Sequence, residues 1–439
     1  MTGSVGAFGP VDDQIVLDRR ELHRIAEPGW CEIFTASKIV GALHSLGFTV
    51  RSGSEVIAAD GRLGLPSRQE LDFFFDRALR LGAAPEAAER FRDGFTGVVG
   101  RLKCAAGGPV VAFRFDIDAN YGDELQSGDH RPAREGFASS HAGTHHNCGH
   151  DGHTALGLSL ARFCAATACD LAGELRLIFQ PAEEGLRGAS AMVAAGVLDD
   201  VDYFVGCHLG VQARQVGEIV SGYRDILGSI KIDAEFSGEG AHAAISPHCG
   251  KNALMAACVA GQNLMAIPRH GAGDTRINVG RIVGGESRNT VPSKARVEFE
   301  IRSDTPEALE YLRKAADRIL GAAADMHGVT HRVNVVGRAS AASSDPGLAQ
   351  LVRRAAEEMP SVHTIRDGVA FRGSDDATEM MRRVQQQGGQ AVYFGIGTSL
   401  NAVHHNPGFD FDEAALPLGA EILQRVALRL LAEGARKNR

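Results

Sequence analysis

A segment of eight residues, HNCGHDGH at positions 146–153, contains three histidines, a thiol and a carboxylate. Imidazole and thiolate together are ligands that suit zinc and similar first-row metals. The two glycines of the segment allow the backbone to bend tightly between neighbouring ligands. Because Cys148 is crowded by histidines and acids, the segment favours a metal-binding thiolate over a catalytic nucleophile at this position.

Two adjacent glutamates, Glu183 and Glu184, follow the apolar run of LRLIFQPAEEG. Adjacent carboxylates leave the backbone in different directions, so one can bind a metal while the other stays free as a base. Such a pair is commonly a solvated turn, but its place after a predicted buried strand favours the functional interpretation. His208 ends the run DYFVGCHLG, and His404 and His405 follow AVYFGIG. The sequence therefore offers candidate metal ligands on four separated segments.

Alternating helices and strands must bring these segments together. We predict helices within 14–47 and 66–93, with Ser67 as a cap, and a β-rich piece near 48–57. The next predicted elements are strands 95–102 and 109–116 separated by a turn at 105–108, helix 153–168, strand 173–179, helix 187–195 and strand 201–208. Short apolar runs that end in polar residues fit buried parallel strands, whose carboxyl ends collect the active residues.

The pattern changes near residue 228, where SIKIDAEFSG alternates apolar and polar residues as a half-buried antiparallel strand does. The order that follows is helix 250–266, strands 276–284 and 290–302, helix 305–326 and strand 330–337. This β-α-β-β-α-β order is typical of a small ferredoxin-like sandwich. The predicted fold is α/β, with a catalytic domain over 1–227 and 339–439 and a second domain over 228–338.

The composition of the chain and the motifs that it lacks argue against several functional classes. A chain of 439 residues suggests two domains, and a formal net charge of −8 disfavours nucleic acid as a partner. The N-terminus does not read as a signal peptide, no apolar run suggests a membrane span, and eight scattered cysteines fit reduced thiols in a cytoplasmic protein. A GxSxG elbow, a phosphate-binding Walker loop, a complete dinucleotide fingerprint and a CxxC pair are all absent from the sequence.

The segments HNCGHDGH, FQPAEEG, GCHLG and HHNPGF resemble, in this order, the metal amidohydrolases and aminoacylases of the M20 peptidase family. FRFDIDAN is similar to a strand end of that family, ELHRIAEPGWCE is similar to its N-terminal helix, and the resemblance covers nearly the whole chain. Residues 61–98, GSDDAT and HHNPGFDFDE resemble the subgroup that acts on p-aminobenzoyl-glutamate and indole-3-acetyl-aspartate. The resemblance implies a catalytic α/β domain that binds two divalent ions and an inserted lid domain that also dimerises.

The resemblance also implies roles for single residues of the catalytic domain. Glu183 matches the catalytic base, and Asp118 matches a carboxylate that orients a ligand. Asp116 stands where other branches of the family have a metal-binding histidine, so we do not assign it as a ligand. The implied metal ligands, with Cys148 at the bridging position, are Cys148, His150, Glu184, His208 and His405.

In the lid domain, GEGAHA resembles a family turn whose histidine, His242 here, reaches the active site of a neighbouring protomer. Asn289 and Arg302 match positions that hold the free carboxylate of the substrate. Taken alone, His242 could also be a surface turn residue and Arg302 an ordinary surface cation.

The resemblance implies hydrolysis of the amide bond of an N-acyl amino acid, with p-aminobenzoyl-glutamate as the first expected substrate. Indole-3-acetyl-aspartate or another N-acyl amino acid is an alternative, as are a dipeptidase or carboxypeptidase and a non-catalytic binding subunit. The implied cofactors are two divalent metal ions per protomer, Mn²⁺ or Zn²⁺. The implied partners are a small-molecule substrate and a second protomer, identical or related, bound through the lid.

Overall fold

The computed structural model describes residues 14–168 and 171–437. The N-terminal segment, on which the expectation about export depends, and Cys169 lie outside these residues. The chain forms two compact units. The larger comprises Met1–Arg224, Ser343–Phe371 and Glu379–Arg439, and the smaller comprises Asp225–Ala342 and Arg372–Thr378.

The described helices are distributed along both units. They are α1 (Gln14–Ile25), α2 (Ile33–Ser45), α3 (Arg68–Arg80), α4 (Pro85–Glu89), α5 (Arg131–Arg134), α6 (His150–Thr167), α7 (Ala189–Ala194), α8 (Ala253–Met265), α9 (Pro306–His327), α10 (Pro346–Glu357), α11 (Ala377–Gln386) and α12 (Ala415–Lys437). Helix α3 begins as expected, because the side chain of Ser67 accepts a hydrogen bond from the backbone N–H of Glu70. None of the helices in the described part of the chain is both long enough and apolar enough to cross a membrane.

The strands form one large sheet, one sheet of four strands and several two-stranded ribbons. They are β1 (Thr49–Ser52), β2 (Val98–Lys103), β3 (Ala105–Asp116), β4 (Asn120–Tyr121), β5 (Thr144–His145), β6 (Ala172–Gln180), β7 (Tyr203–Leu209), β8 (Glu218–Val220), β9 (Tyr223–Arg224), β10 (Gly228–Ser237), β11 (Ala241–His242), β12 (Thr275–Gly284), β13 (Thr290–Val291), β14 (Lys294–Ser303), β15 (Thr330–Ala339), β16 (Thr364–Arg366), β17 (Val369–Ala370) and β18 (Gln390–Ile396).

The large sheet has the order β1-β2-β6-β3-β7-β18-β8-β16, and its central strands β6, β3, β7 and β18 are parallel. Antiparallel pairing occurs towards the edges, between β1 and β2, β2 and β6, and β18 and β8. The predicted mixed α/β class with a mostly parallel central sheet is therefore confirmed. The carboxyl ends of the four central strands carry Asp116, Gln180, Leu209 and Ile396, which defines the edge at which a site is expected.

Helix α6 packs against the centre of this sheet. A Cβ atom at Gly157 would lie 2.6 Å from the ring of Phe115 and 2.7 Å from the ring of Phe179, so only glycine allows this approach. Both phenylalanines are buried, as is Leu156 beside Gly157. Close packing at this point fixes the N-terminal end of α6 near the carboxyl ends of β3 and β6.

The smaller unit contains β10, α8, β12, β14, α9 and β15 in chain order, with the sheet order β12-β14-β10-β15. Antiparallel pairing throughout this sheet gives the predicted ferredoxin-like arrangement. Val297, Phe299 and Ile301 alternate along β14 with half-buried charged residues and form a core with the apolar faces of α8 and α9.

One local prediction was wrong. Residues 105–108, predicted as a turn, belong to strand β3, whose register against β6 shifts between Ala105 and Val110. Gly107 has a φ of +88°, and a Cβ atom at Gly108 would lie 2.4 Å from the carbonyl group of Ala172. The glycines therefore allow an irregular strand to stay close to β6, and such a bulge uses the same residue types as a turn.

Candidate metal centre

Cys148 and His150 lie at the start of helix α6, on either side of a left-handed glycine. Gly149 has a φ of +91°, a backbone conformation that would be strained in a residue with a side chain. The ring of His150 is buried, and its Nδ1 atom donates a hydrogen bond to the backbone carbonyl of Asp118 at 2.9 Å. The Nε2 atom of His150 is buried without a hydrogen-bond partner among the described residues. The fixed Nδ1 contact therefore leaves Nε2 as the atom available to a ligand.

His208 is the last residue but one of strand β7, at the same edge of the sheet. Its Nδ1 atom donates to the carbonyl of Leu209 at 2.9 Å, and its Nε2 atom lies 3.6 Å from Sγ of Cys148. Burial, reinforced by the neighbouring rings of His153 and His404, holds the pKa of His208 well below its usual value. The ring is therefore neutral near pH 7, which is the form that binds metals.

Glu183 and Glu184 lie in a tight turn directly after strand β6. Ala182 before them has a φ of +51°. The carboxylate of Asp118 accepts the backbone N–H of Glu183 at 3.1 Å through Oδ1 and that of Glu184 at 2.9 Å through Oδ2. Asp118 therefore holds both the acidic turn and, through its carbonyl, the ring of His150.

His405 lies in a loop after β18 and has a left-handed backbone with a φ of +67°. Its N–H donates to the carbonyl of Asn147 at 2.8 Å, and its Nε2 atom lies 3.3 Å from Oε1 of Glu184. The adjacent His404 has a different position, because its Nε2 atom donates to the carbonyl of Leu209 at 3.2 Å. Of the two adjacent histidines, only His405 therefore faces the acidic turn.

The structure brings all five sequence-predicted ligands and Glu183 together. Ligand atoms within each of three groups lie within 4.8 Å of one another. The groups are Cys148, His150 and His208; Cys148, Glu184 and His405; and His150, Glu183 and Glu184. Cys148 belongs to two groups, and His150 links the first group to the two glutamates.

Asp116 and His153 also lie beside His150, but their polar atoms already form hydrogen bonds with other residues. One Asp116 oxygen accepts from Nδ1 of His153 at 2.6 Å and the other accepts from the guanidinium of Arg114 at 2.6 Å. His153 accepts the backbone N–H of Leu209 on its Nε2 atom at 3.0 Å. Asp116 and His153 therefore link α6 to the ends of β3 and β7. Metal binding is left to the neighbouring residues.

The donor set fits divalent metal ions. Burial and the Glu184 carboxylate raise the pKa of the Cys148 thiol. The pKa of His150 is raised despite burial, mainly by the buried carboxylate of Asp116. The His150 ring groups with a thiol, an imidazole and two carboxylates, those of Cys148, His208, Glu183 and Glu184. Its buried Nε2 atom has no hydrogen-bond partner among the described residues, and a divalent cation would satisfy such a set.

Asn120 is a site residue that the sequence analysis missed. Its Nδ2 atom donates to Oε1 of Glu184 at 2.6 Å and to the side-chain oxygen of Asn147 at 2.7 Å. Its position shortly after strand β3, two residues after Asp118, was the available signal. Asn120 therefore fixes one oxygen of Glu184 and joins two ligand-bearing segments.

The three residues predicted from the lid lie in the smaller unit. His242 pairs with Thr290 in the ribbon β11–β13, and the N–H of Ala243 donates to the carbonyl of Asn289, so His242 and Asn289 are neighbours. The His242 ring is exposed, and its Nδ1 atom accepts two backbone N–H groups at 3.2 Å each. Its Nε2 atom therefore carries the proton in the neutral ring.

Arg302 is the last residue but one of strand β14 and is half-buried. Its Nε and Nη2 atoms donate to the two oxygens of Glu300 at 2.9 and 3.0 Å, and Nη1 makes a longer contact of 3.3 Å with the hydroxyl of Ser374. One edge of the guanidinium is thus occupied, and Nη1 is the atom with the weaker contact.

The chain matches known proteins over most of its length. Residues 112–429 match the model of peptidase family M20/M25/M40. The chain is 45% identical over 411 residues to the indole-3-acetyl-aspartic acid hydrolase of Enterobacter agglomerans. It is 44% identical over 411 residues to one subunit of the p-aminobenzoyl-glutamate hydrolase of Escherichia coli K12. Each alignment covers 93% of this chain and 94% of the relative.

A solved structure shares the whole architecture. The aminobenzoyl-glutamate utilization protein from Klebsiella pneumoniae is 38% identical, with a TM-score of 0.82 and 95% coverage of both chains. The chain therefore shares its fold with this protein over nearly its whole length.

Proposed function

This chain belongs to the M20/M25/M40 peptidase family, and we propose that it hydrolyses the amide bond of N-acyl amino acids. The convergence of six side chains, with Cys148 shared between two groups of ligands, is the observation that carries the proposal. Two relatives that cover nearly the whole chain are named as hydrolases of indole-3-acetyl-aspartic acid and p-aminobenzoyl-glutamate. We propose p-aminobenzoyl-glutamate as the first substrate, with p-aminobenzoate and glutamate as products, and indole-3-acetyl-aspartate as the alternative.

We propose that two divalent ions, Mn²⁺ or Zn²⁺, occupy the site. One would be held by the group of Cys148, His150 and His208, and the other by the group of Cys148, Glu184 and His405. Bound divalent ions supply an activated water at neutral pH and polarise the scissile carbonyl. Cys148 belongs to both groups, so its thiolate would help to hold either ion.

Glu183 is the proposed general base. The residue is 8% exposed, and its Oε2 atom lies 3.9 Å from Nε2 of His150. Its carboxylate removes a proton from the attacking water and delivers it to the amine nitrogen as the carbon–nitrogen bond breaks. Asp118 supports this role because it holds the backbone N–H of Glu183 and so directs the side chain.

Arg302 and Asn289 are the proposed contacts for the free carboxylate of the substrate. Because Glu300 already accepts from two nitrogens of Arg302, Nη1 is the atom that we propose for the substrate. A charge-assisted bond to a carboxylate explains a preference for N-acyl amino acids over neutral amides.

We propose that the smaller unit is a lid that also joins two protomers, identical or related, and that His242 serves the active site of the neighbouring protomer. The exposed ring and the protonated Nε2 atom support this role, since a donor is required at the oxygen that becomes negative during attack. Mixing inactive Glu183→Gln and His242→Ala proteins should restore part of the activity. No recovery despite proven exchange of protomers would contradict the role of His242.

The proposed function is tested with purified protein loaded with Mn²⁺ or Zn²⁺. Release of amine is measured from p-aminobenzoyl-glutamate, indole-3-acetyl-aspartate, acetyl-amino acids and dipeptides with a free amino group. Metal content is measured in parallel, with Glu183→Gln as the inactive variant and Glu357→Gln, a surface glutamate on α10, as the matched control.

We expect turnover of at least one N-acyl acidic amino acid, abolished in Glu183→Gln and unchanged in Glu357→Gln. Preference for dipeptides would change the proposed function to that of a peptidase with the same site. If two metals bind and neither acyl amino acids nor dipeptides are cleaved, with and without a related protomer, the proposal is wrong.

A further inference from the structure

A buried carboxylate that takes no part in the proposed reaction lies beneath the turn that carries Glu183 and Glu184. Glu32, in the segment between α1 and α2, has no exposed surface. Its Oε1 atom accepts the backbone N–H of Ala182 at 2.8 Å, and its Oε2 atom accepts the hydroxyl of Thr96 at 2.5 Å. The carboxylate thus joins the start of the chain to the end of strand β6.

Ala182 requires such a contact because its backbone is left-handed, which residues with a Cβ atom rarely adopt. Three successive N–H groups are held by two carboxylates: Ala182 by Glu32, and Glu183 and Glu184 by Asp118. The path of the chain through this turn decides where the two glutamate side chains point. Asp118 holds the N–H groups of its second half, and Glu32 is the carboxylate that holds the N–H of its first half.

The segment that carries Glu32 packs directly on the turn. A Cβ atom at Gly29 would lie 2.9 Å from Cα of Ala182 and 2.2 Å from a guanidinium nitrogen of Arg187. Arg187 in turn donates to the carbonyl of Glu184 at 2.8 Å. Because backbone packs on backbone here, a shift of one segment is transmitted to the other.

We propose that Glu32 is a positioning residue for the reaction, which sets the direction of Glu183 and Glu184 through the backbone of Ala182. This inference rests on the proposed function for the role of Glu183. It predicts that loss of Glu32 lowers kcat and weakens the metal site that contains Glu184, with little change in KM.

Glutamine is a conservative replacement for Glu32, because it can keep both hydrogen bonds of the side chain. Burial, reinforced by the nearby carboxylate of Asp118, raises the pKa of Glu32 to about 8. The neutral form can still accept from Ala182 with one oxygen and contact Thr96 with the other. In Glu32→Gln, the amide oxygen can accept from Ala182 and the amide nitrogen can donate to the hydroxyl of Thr96.

The test compares Glu32→Gln and Glu32→Ala with the wild type. For Glu32→Ala we expect kcat to fall about 100-fold with KM within about threefold, as for a small displacement of a catalytic group. Zn²⁺ affinity, measured by competition with a chelator, should fall at one of the two sites. Glu32→Gln should restore both quantities to near wild-type values, and rescue of this kind separates positioning from simple loss of stability.

Glu27→Ala is the matched control. Glu27 is a buried carboxylate in the same segment, but it accepts from the backbone N–H groups of Phe34 and Thr35 at the start of α2. Its removal should lower the melting temperature and leave kcat and Zn²⁺ affinity unchanged. A loss of kcat in Glu27→Ala equal to that in Glu32→Ala would overturn the proposal.

Wild-type kcat and Zn²⁺ affinity in a folded Glu32→Ala protein would also overturn it. If that variant does not fold, Thr96→Val removes the second contact of Glu32 at constant volume, and it should lower kcat about tenfold. An unchanged kcat in Thr96→Val would then contradict the role. If the wild type binds Zn²⁺ but cleaves no N-acyl amino acid, the proposed function fails, and the Zn²⁺ titration alone decides the role of Glu32.

Discussion

Replacing Arg19 by Met removes the cation from a buried cluster of charges in the larger unit. The Arg19 side chain on α1 has no exposed surface and lies 2.7 Å from Asp151, 2.8 Å from Asp410 and 3.1 Å from Glu413. Asp151 directly follows the proposed ligand His150, and Asp410 lies in the segment that follows His405. One guanidinium therefore holds α1 to two ligand-bearing parts of the chain.

The size of the loss follows from the carboxylates left behind. Removing one partner of a buried ion pair costs about 3–5 kcal/mol, because the other charge stays buried without compensation. Here Asp151 keeps a contact with His23 at 2.8 Å, and Asp410 keeps one with Arg131 at 2.6 Å. We therefore expect Arg19→Met to lower the free energy of unfolding by about 3 kcal/mol, the lower end of that range.

Trp30 is the single tryptophan of the chain and is fully buried in the larger unit, so its fluorescence in urea follows the unfolding of that unit. The matched control is Arg20→Met on the same helix. Arg20 is 31% exposed and pairs with Glu413 and Glu135, so its loss should cost at most about 1 kcal/mol. Equal losses of unfolding free energy in the Arg19 and Arg20 variants would refute the reasoning.

Other changes have equally direct outcomes. Glu183→Gln should lower kcat by about 10²–10⁴-fold without loss of bound metal, measured by mass spectrometry, and near-normal turnover would exclude Glu183 as the base. Gly157→Ala places a methyl group against Phe115 and should cost about 1–3 kcal/mol in urea unfolding, whereas an unchanged midpoint would show that α6 can move. The pKa of Glu124 is lowered to about 2 despite burial, chiefly by a hydrogen bond from His23. The stability that Glu124 contributes is therefore present above its ordinary pKa of 4.5 and lost as the pH falls towards 2, and Trp30 fluorescence against pH should show this loss.

Much of the fold could be predicted because the informative patterns are local. The alternation along β10 and the cap at Ser67 depend on neighbours within a few residues, and both predictions are confirmed. Residues 105–108 were misassigned because glycines occur in bulges as well as in turns. Residues 372–378 belong to the smaller compact unit, and no local pattern in their sequence indicates this.

The residue types that form the candidate site could be predicted from the sequence, but the role of each residue could be predicted less well. The sequence places several histidines near the same strand ends, but composition does not show that His153 and His404 use their nitrogens on Asp116 and Leu209. Those contacts depend on residues from other strands. Glu32 was not found for the same reason, since 150 positions separate it from Ala182.

Two turns that carry proposed ligands have a left-handed backbone at residues other than glycine. Ala182 precedes the two glutamates, and His405 is itself a proposed ligand. Each such residue costs about 1–2 kcal/mol, so the conformation persists only where other contacts hold it. Glu32 accepts the N–H of Ala182, and Asn147 accepts that of His405. Because each strained residue is held by a contact from a distant part of the chain, the proposed metal ligands are positioned by the folded larger unit rather than by their own short segments.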